Sequence, residues 1–167
     1  YPFINATKSY PIGHPRMLFY NYGEMSTITD RYFGFIYCKV KTPKHLNIPV
    51  LPGKYGGDSK LIFTLCRTCA STLPRSTAFC EHSDEERALI GTWFTEELKL
   101  AEGRGYEILE VYGVYYFEKQ STELFAEYIR TFYKIKLLAS GVPNVEDVNS
   151  YIEEVLTKDK IDLSGEE

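Results

Sequence analysis

Alternation of apolar and polar side chains is the clearest local signal in the first half of the chain. Gly34, Ile36, Cys38 and Val40 alternate with Phe35, Tyr37, Lys39 and Lys41. That period of two, rich in β-branched and aromatic residues, predicts a half-buried strand, which Pro43 ends. Residues 60–65 repeat the alternation with Leu61, Phe63 and Leu65 on one face, after a glycine-rich turn at 53–59. These two strands are expected to be antiparallel neighbours. Ahead of them, residues 1–30 show no regular pattern. Tyr10-Pro11-Ile12-Gly13-His14-Pro15 puts two prolines and a glycine into a stretch that reads as loop rather than helix.

Ser83-Asp84-Glu85-Glu86 has capping-box spacing and would start a helix. Thr92, Trp93 and Phe94 follow Gly91 as strand formers, and the preferred reading is a strand over about 87–94. A short helix capped by Thr95 and closed near Gly103 or Gly105 is expected next. Residues 106–117 predict a strand whose two faces are both largely apolar or aromatic, as in a strand buried inside a sheet. The clearest helix spans 122–140, where Leu124, Phe125, Tyr128, Ile129, Phe132 and Ile135 recur at helical spacing and Gly141 and Pro143 follow. A second helical segment at 145–157 leads into a charged end, 158–167, expected to fray. The order β, β, β, α, β, α, α, without internal repeats, makes this an α+β chain of mostly antiparallel strands with helices at the C-terminal end.

Composition narrows the class. The 167 residues, 44% hydrophobic and 25% charged, match one ordinary globular domain and exclude disordered or collagen-like chains. The longest apolar run, around Tyr112 to Phe117, falls far short of the roughly 20 residues of a membrane span, so no membrane partner is expected. Tyr1 is preceded by no Met, basic region or apolar leader, which reads as a fragment of an intracellular, non-secreted protein. Residues 144–167 carry eight acidic residues against Lys158 and Lys160, a balance of −6, so the remainder of a chain of net charge −4 is +2. Charge alone therefore names no partner.

Two features could carry chemistry. Cys66-Arg67-Thr68-Cys69 and Cys80-Glu81-His82 pair a Cys-x2-Cys with a Cys-x-His, and three thiolates with one imidazole make a tetrahedral zinc set. The single residue between Cys80 and His82 is tighter than the usual two to four. A set of reduced thiols with His82 as an ordinary surface residue stands as the other reading. Four protein ligands would close the site, which argues against a catalytic zinc. On the 122–140 helix, Lys136 falls between Phe132 and Ile129, inside the apolar arc, whereas Arg130 and Lys134 point away. It reads either as a stem snorkelling from the core or as a cation directed at phosphate. No Gly-x-Ser-x-Gly, His-Glu-x-x-His or P-loop pattern occurs.

Motifs in series make the pattern specific. Tyr1-Pro2, Asn5, Lys8 and Tyr10-Pro11-Ile12-Gly13-His14-Pro15 resemble the sequence just after motif A of protein-primed family B DNA polymerases of phages, linear plasmids, adenoviruses and Maverick elements. The resemblance continues through Phe33-Gly34-Phe35-Ile36-Tyr37-Cys38, Pro49-Val50-Leu51-Pro52, Leu65-Cys66-Arg67-Thr68-Cys69, His82 to Leu89, and Gly91-Thr92-Trp93. It closes with Leu124-Phe125 to Lys136 and so covers most of the chain.

The resemblance implies residues 1–30 as a post-motif-A palm segment and loop. It implies residues 31–117 as palm strands with the insertion that contacts terminal protein and DNA, and residues 118–167 as the start of the fingers with an acidic tail. Tyr1 would stack under the incoming sugar and exclude a 2′-hydroxyl, and Lys136 would approach the triphosphate. Mg²⁺, a DNA template-primer, deoxynucleoside triphosphates and a terminal protein are implied for the parent enzyme. The motif A Asp, motif B and the Asp-Thr-Asp of motif C do not occur in the 167 residues, so the chain alone is expected to be inactive, with no catalytic residue of its own. The rival reading is a non-catalytic, zinc-stabilised binding module derived from a mobile element.

Overall fold

The computed structural model describes residues 2–19, 28–55, 61–72, 80–140 and 148–159. In chain order the elements are α1 (Pro2–Thr7), β1 (Tyr10–Ile12), β2 (Arg16–Phe19), α2 (Ile28–Arg31), β3 (Gly34–Lys41), β4 (Pro52–Lys54), β5 (Leu61–Phe63) and α3 (Arg67–Ser71). There follow α4 (Asp84–Arg87), β6 (Leu89–Phe94), α5 (Thr95–Glu102), β7 (Glu107–Tyr116), β8 (Lys119–Ser121), α6 (Ala126–Ser140) and α7 (Val148–Asp159). The fold is α+β with antiparallel sheets and helices at its C-terminal end. Two compact units make up the chain, one of Gly13–Lys119 and one of Tyr1–Ile12 with Gln120–Glu167.

A four-stranded sheet in the order β2-β7-β3-β6, antiparallel throughout, organises the larger unit. The alternation in β3 does what its period requires: Ile36, Cys38 and Val40 are fully buried, while Phe35 and Tyr37 on the opposite face stay exposed. Leu89 and Trp93 of β6, Val111 and Val114 of β7, and Leu98 and Ala101 of α5 complete the core over the buried face. β7 changes register against β3 between Tyr37 and Cys38 and again between Lys39 and Val40, bulges that increase twist. Only one sheet face is covered among the described residues. On the other, Met17, Phe19, Phe35, Tyr37 and Tyr115 are exposed around a shallow groove, so the burial on both faces expected for 106–117 holds for one.

Several expectations need correction. β5 pairs with β4, not with β3, whose neighbours are β6 and β7. The alternation in 60–65 reported a strand but not its partner, and β4, starting at Pro52, takes in Gly53 and Lys54 of the stretch read as a turn. The capping box does form: the Ser83 side chain accepts from Glu86 N–H and Glu86 accepts from Ser83 N–H, giving the single turn α4 before β6 begins at Leu89. Helix and strand signals were both correct over adjacent residues. Thr95 is the first residue of α5 rather than its cap. Glu97 takes the Phe94 N–H at 2.9 Å, and the Thr95 hydroxyl instead accepts the Gly34 N–H at 3.3 Å, tying the helix start to β3.

In the other unit, residues read as loop form α1 and β1. β1 pairs with β8, and Tyr10 packs edge-on against Phe125 at 4.9 Å while its hydroxyl donates to Asn5. Helix α6 reverses the expected facing. Ala126 is buried and Ile129, Arg130, Tyr133, Lys134 and Leu137 are half-buried, whereas Tyr128, Phe132, Ile135 and Leu138 are exposed. Arg130 earns its place by an ion pair with Glu123 at 3.1 Å. Helix α7 runs to Asp159, two residues beyond the expected end.

Candidate functional site

The Cys/His cluster is assembled by two short helices. Cys66 is the N-cap of α3, and its sulfur accepts the Cys69 N–H at 3.4 Å, so the first Cys-x2-Cys pair is folded back on itself by the helix start. His82 and Cys80 arrive from the segment leading into α4, and Thr68 Oγ1 donates to the Glu86 carbonyl at 2.8 Å, joining the two helices. Cys66 is buried, Cys69 and His82 are half-buried and Cys80 is exposed. The Nδ1 atom of His82 lies 3.5 Å from Cys66 Sγ, 3.3 Å from Cys69 Sγ and 3.4 Å from Cys80 Sγ. All four ligand atoms fall within 4.8 Å of one another. The sequence-derived set is therefore brought together in full, in an arrangement that could hold a metal ion.

Crowding of thiols separates their titration. Burial pushes the Cys69 thiol up to about 12, helped by hydrogen bonds from Cys66 and Cys80. At Cys80 burial acts in the same direction, but hydrogen bonds from the His82 side chain and backbone outweigh it and bring the thiol down to about 6. The Cys80 thiolate therefore forms more readily than that of Cys69. A cation at the centre would stabilise all three thiolates.

Arg87 and Lys39 escaped the sequence reading. Arg87, last residue of α4, is 4% exposed; its Nη2 donates to the Pro43 carbonyl at 2.7 Å and to Thr42 Oγ1 at 3.4 Å, and its Nη1 stands 3.9 Å from Cys80 Sγ. Lys39, 8% exposed, pairs with Glu85 of α4 and with Glu110 of β7, and the hydrogen bond to Glu85 raises its pKa against the opposing effect of burial. Lys41 lies 3.4 Å from both Glu107 and Asp84, and the hydrogen bond to Glu107 leads the rise of its pKa. A capping box ending in a basic residue was the one available hint for Arg87. No spacing rule connects Lys39 with a carboxylate 46 residues away.

The two nucleotide-contact expectations have different outcomes. Tyr1 lies outside the described residues. Lys136 is exposed on α6, on the flank of the stripe of Phe132 and Ile135, and makes no ion pair among the described residues. The Cys/His cluster is the one convergence of three or more His, Cys, Asp or Glu ligands among the described residues. Its sulfur and nitrogen donors suit zinc and not Mg²⁺, which takes oxygen ligands. The described residues thus offer no seat for the polymerase ions.

The described residues thus combine an antiparallel sheet, a Cys/His cluster and an exposed lysine on a late helix. The family model described as DNA polymerase type B, organellar and viral, matches residues 1–149, and the chain belongs to that family. Neither the curated proteins nor the solved structures gave a match to it. No helix among the described residues is long and apolar enough to cross a membrane.

Proposed function

We propose that the chain supplies the stretch between motif A and motif B of a protein-primed type B DNA polymerase, the enzyme that adds deoxynucleotides to a DNA template-primer or to a terminal protein. The observation that carries this reading is the ordered run of motifs from Tyr1-Pro2 to Lys136, which lies within the 149 residues matched by the family. In this reading residues 1–30 form the palm segment after motif A, residues 31–117 the palm strands with the insertion facing terminal protein and DNA, and residues 118–167 the start of the fingers.

The chain's own part in the reaction is nucleotide binding. The Nζ of Lys136 donates to triphosphate oxygens and offsets their charge, which suits an exposed lysine that pairs with no carboxylate among the described residues. Tyr1 lies beneath the sugar and leaves no room for a 2′-hydroxyl. Mg²⁺ belongs to carboxylates that are not among these 167 residues, and on that ground the chain alone does not polymerise. The test is incorporation of labelled deoxynucleotide on a template-primer with Mg²⁺. The 167-residue chain is expected to give none, and a polypeptide that adds the motif A Asp and motifs B and C is expected to extend both a DNA primer and a terminal-protein hydroxyl. Incorporation by the 167 residues alone overturns the assignment.

A further inference from the structure

The proposed nucleotide contacts do not draw on the Cys/His cluster, whose geometry points to a task of its own. We propose that Cys66, Cys69, Cys80 and His82 bind one Zn²⁺ in a closed structural site that fastens α3 and α4 to the end of β3, with Arg87 as the positioning residue that balances its charge.

Hydrogen bonding does not account for the arrangement. His82 Nδ1 has one lone pair or one proton, yet three sulfurs surround it at 3.3 to 3.5 Å. A tetrahedral ion does account for it: Zn–S of about 2.3 Å and Zn–N of about 2.0–2.1 Å place each sulfur about 3.5 Å from the nitrogen. The tight Cys80-x-His82 spacing then finds its reason. The nitrogen that faces the sulfurs is Nδ1, the ring atom nearer the backbone, so a residue two positions from Cys80 reaches the same centre without a longer loop.

Charge supplies an independent argument. Three thiolates, one neutral imidazole and Zn²⁺ sum to −1. Arg87 is a buried cation that meets no carboxylate among the described residues, and its nearest anionic candidate is the Cys80 sulfur. Its other end bonds Thr42 and Pro43 just past β3, and Thr42 Oγ1 in turn donates to the Leu65 carbonyl at 2.7 Å, one residue before Cys66. Guanidinium, sulfur and strand end thus form one connected unit. Four protein ligands fill the tetrahedron and leave no position for water or substrate, which makes the site structural. Binding releases the remaining thiol protons to solvent.

Metal content of the purified 167-residue chain decides the matter without reference to polymerase activity. One zinc per chain is expected, retained through desalting, and Co²⁺ in its place should give thiolate-to-cobalt charge transfer and tetrahedral d–d bands. Cys69→Ser and His82→Ala should abolish both signals, and Arg87→Met should keep the stoichiometry but weaken zinc about ten-fold or more in competition with a chelator, with partial recovery in Arg87→Lys. Should the ligand variants fail to fold, the cobalt spectrum and thiol count of the unaltered chain still decide: no thiol should react with a disulfide reagent when zinc is bound, and three should react after chelation, Cys38 staying inert in the core. A chain that takes up no zinc on purification or on reconstitution overturns the proposal. Octahedral cobalt without thiolate bands, or undiminished zinc affinity in Arg87→Met, overturns the coordination set or the role of Arg87 respectively.

Discussion

The indole nitrogen of Trp93 donates a 2.8 Å hydrogen bond to the carbonyl of Pro52, joining the edge strand β6 to the first residue of the β4–β5 hairpin. Trp93 is 3% exposed, so its replacement by Phe removes both packed ring surface and the donor to a part-buried carbonyl. A loss of about 1–3 kcal/mol in unfolding free energy is expected, measured by denaturant titration. A change near zero would show that the hairpin contributes nothing to the stability of the sheet.

Close approach of two backbones dictates the residue at position 34. A Cβ added to Gly34 would lie 2.1 Å from the Tyr115 carbonyl oxygen and 2.8 Å from Tyr116 Cα. Gly34→Ala should therefore force β3 and β7 apart and cost about 3 kcal/mol. Gly113→Ala is the comparison, since its Cβ would meet the Leu18 carbonyl at an ordinary 3.5 Å and should cost less than about 1 kcal/mol. Equal thermal midpoints for the two variants would contradict this reading of the sheet.

Alkaline pH should destabilise the fold through Cys38. Burial pushes this thiol up from 9.0 to about 12, aided by the charge of Glu102. The unfolded chain releases the proton first, so the stabilising effect is complete below pH 9 and is lost progressively between pH 9 and about 12. A single proton gives a slope on the order of 1 kcal/mol per pH unit. Denaturant midpoints across that window should fall less steeply for Cys38→Ala than for the unaltered chain; parallel slopes would exclude Cys38 as the source.

Metal removal should be felt at Lys39, which lies in no contact with the cluster. Its partner Glu85 and the Lys41 partner Asp84 belong to α4, the helix that the proposed zinc fastens through α3 and Arg87. Chelation is expected to raise the rate of acetylation of Lys39 several-fold while leaving the exposed Lys158, paired with Glu154 at 3.0 Å, unchanged. Unchanged labelling of Lys39 would uncouple α4 from the metal.

Local periodicity made β3, α5, β7 and α6 legible, because each carries enough residues for period two or 3.6 to show. Partners were less legible. β5 holds three residues, too few to express which neighbour its alternation fits, and the pairing with β4 rests on a hairpin whose first strand, Pro52-Gly53-Lys54, has turn-forming composition. The α6 stripe identified the helix but not its facing, since tertiary context turned Ala126, Arg130 and Tyr133 inward and left Phe132 and Ile135 out. The four cluster residues were visible as spacing. Arg87 was not, because its role depends on a guanidinium spanning between Cys80, in the segment before α4, and the end of β3, which no linear pattern records.

Lys136 tests the account most directly. In a polypeptide that combines this chain with motifs A, B and C, Lys136→Ala should raise the KM for deoxynucleoside triphosphate about ten- to a hundred-fold, the loss expected for a charge-assisted contact. Affinity for the DNA template-primer should not change. An unaltered KM in a folded variant would contradict the proposed contact of Lys136 with the triphosphate.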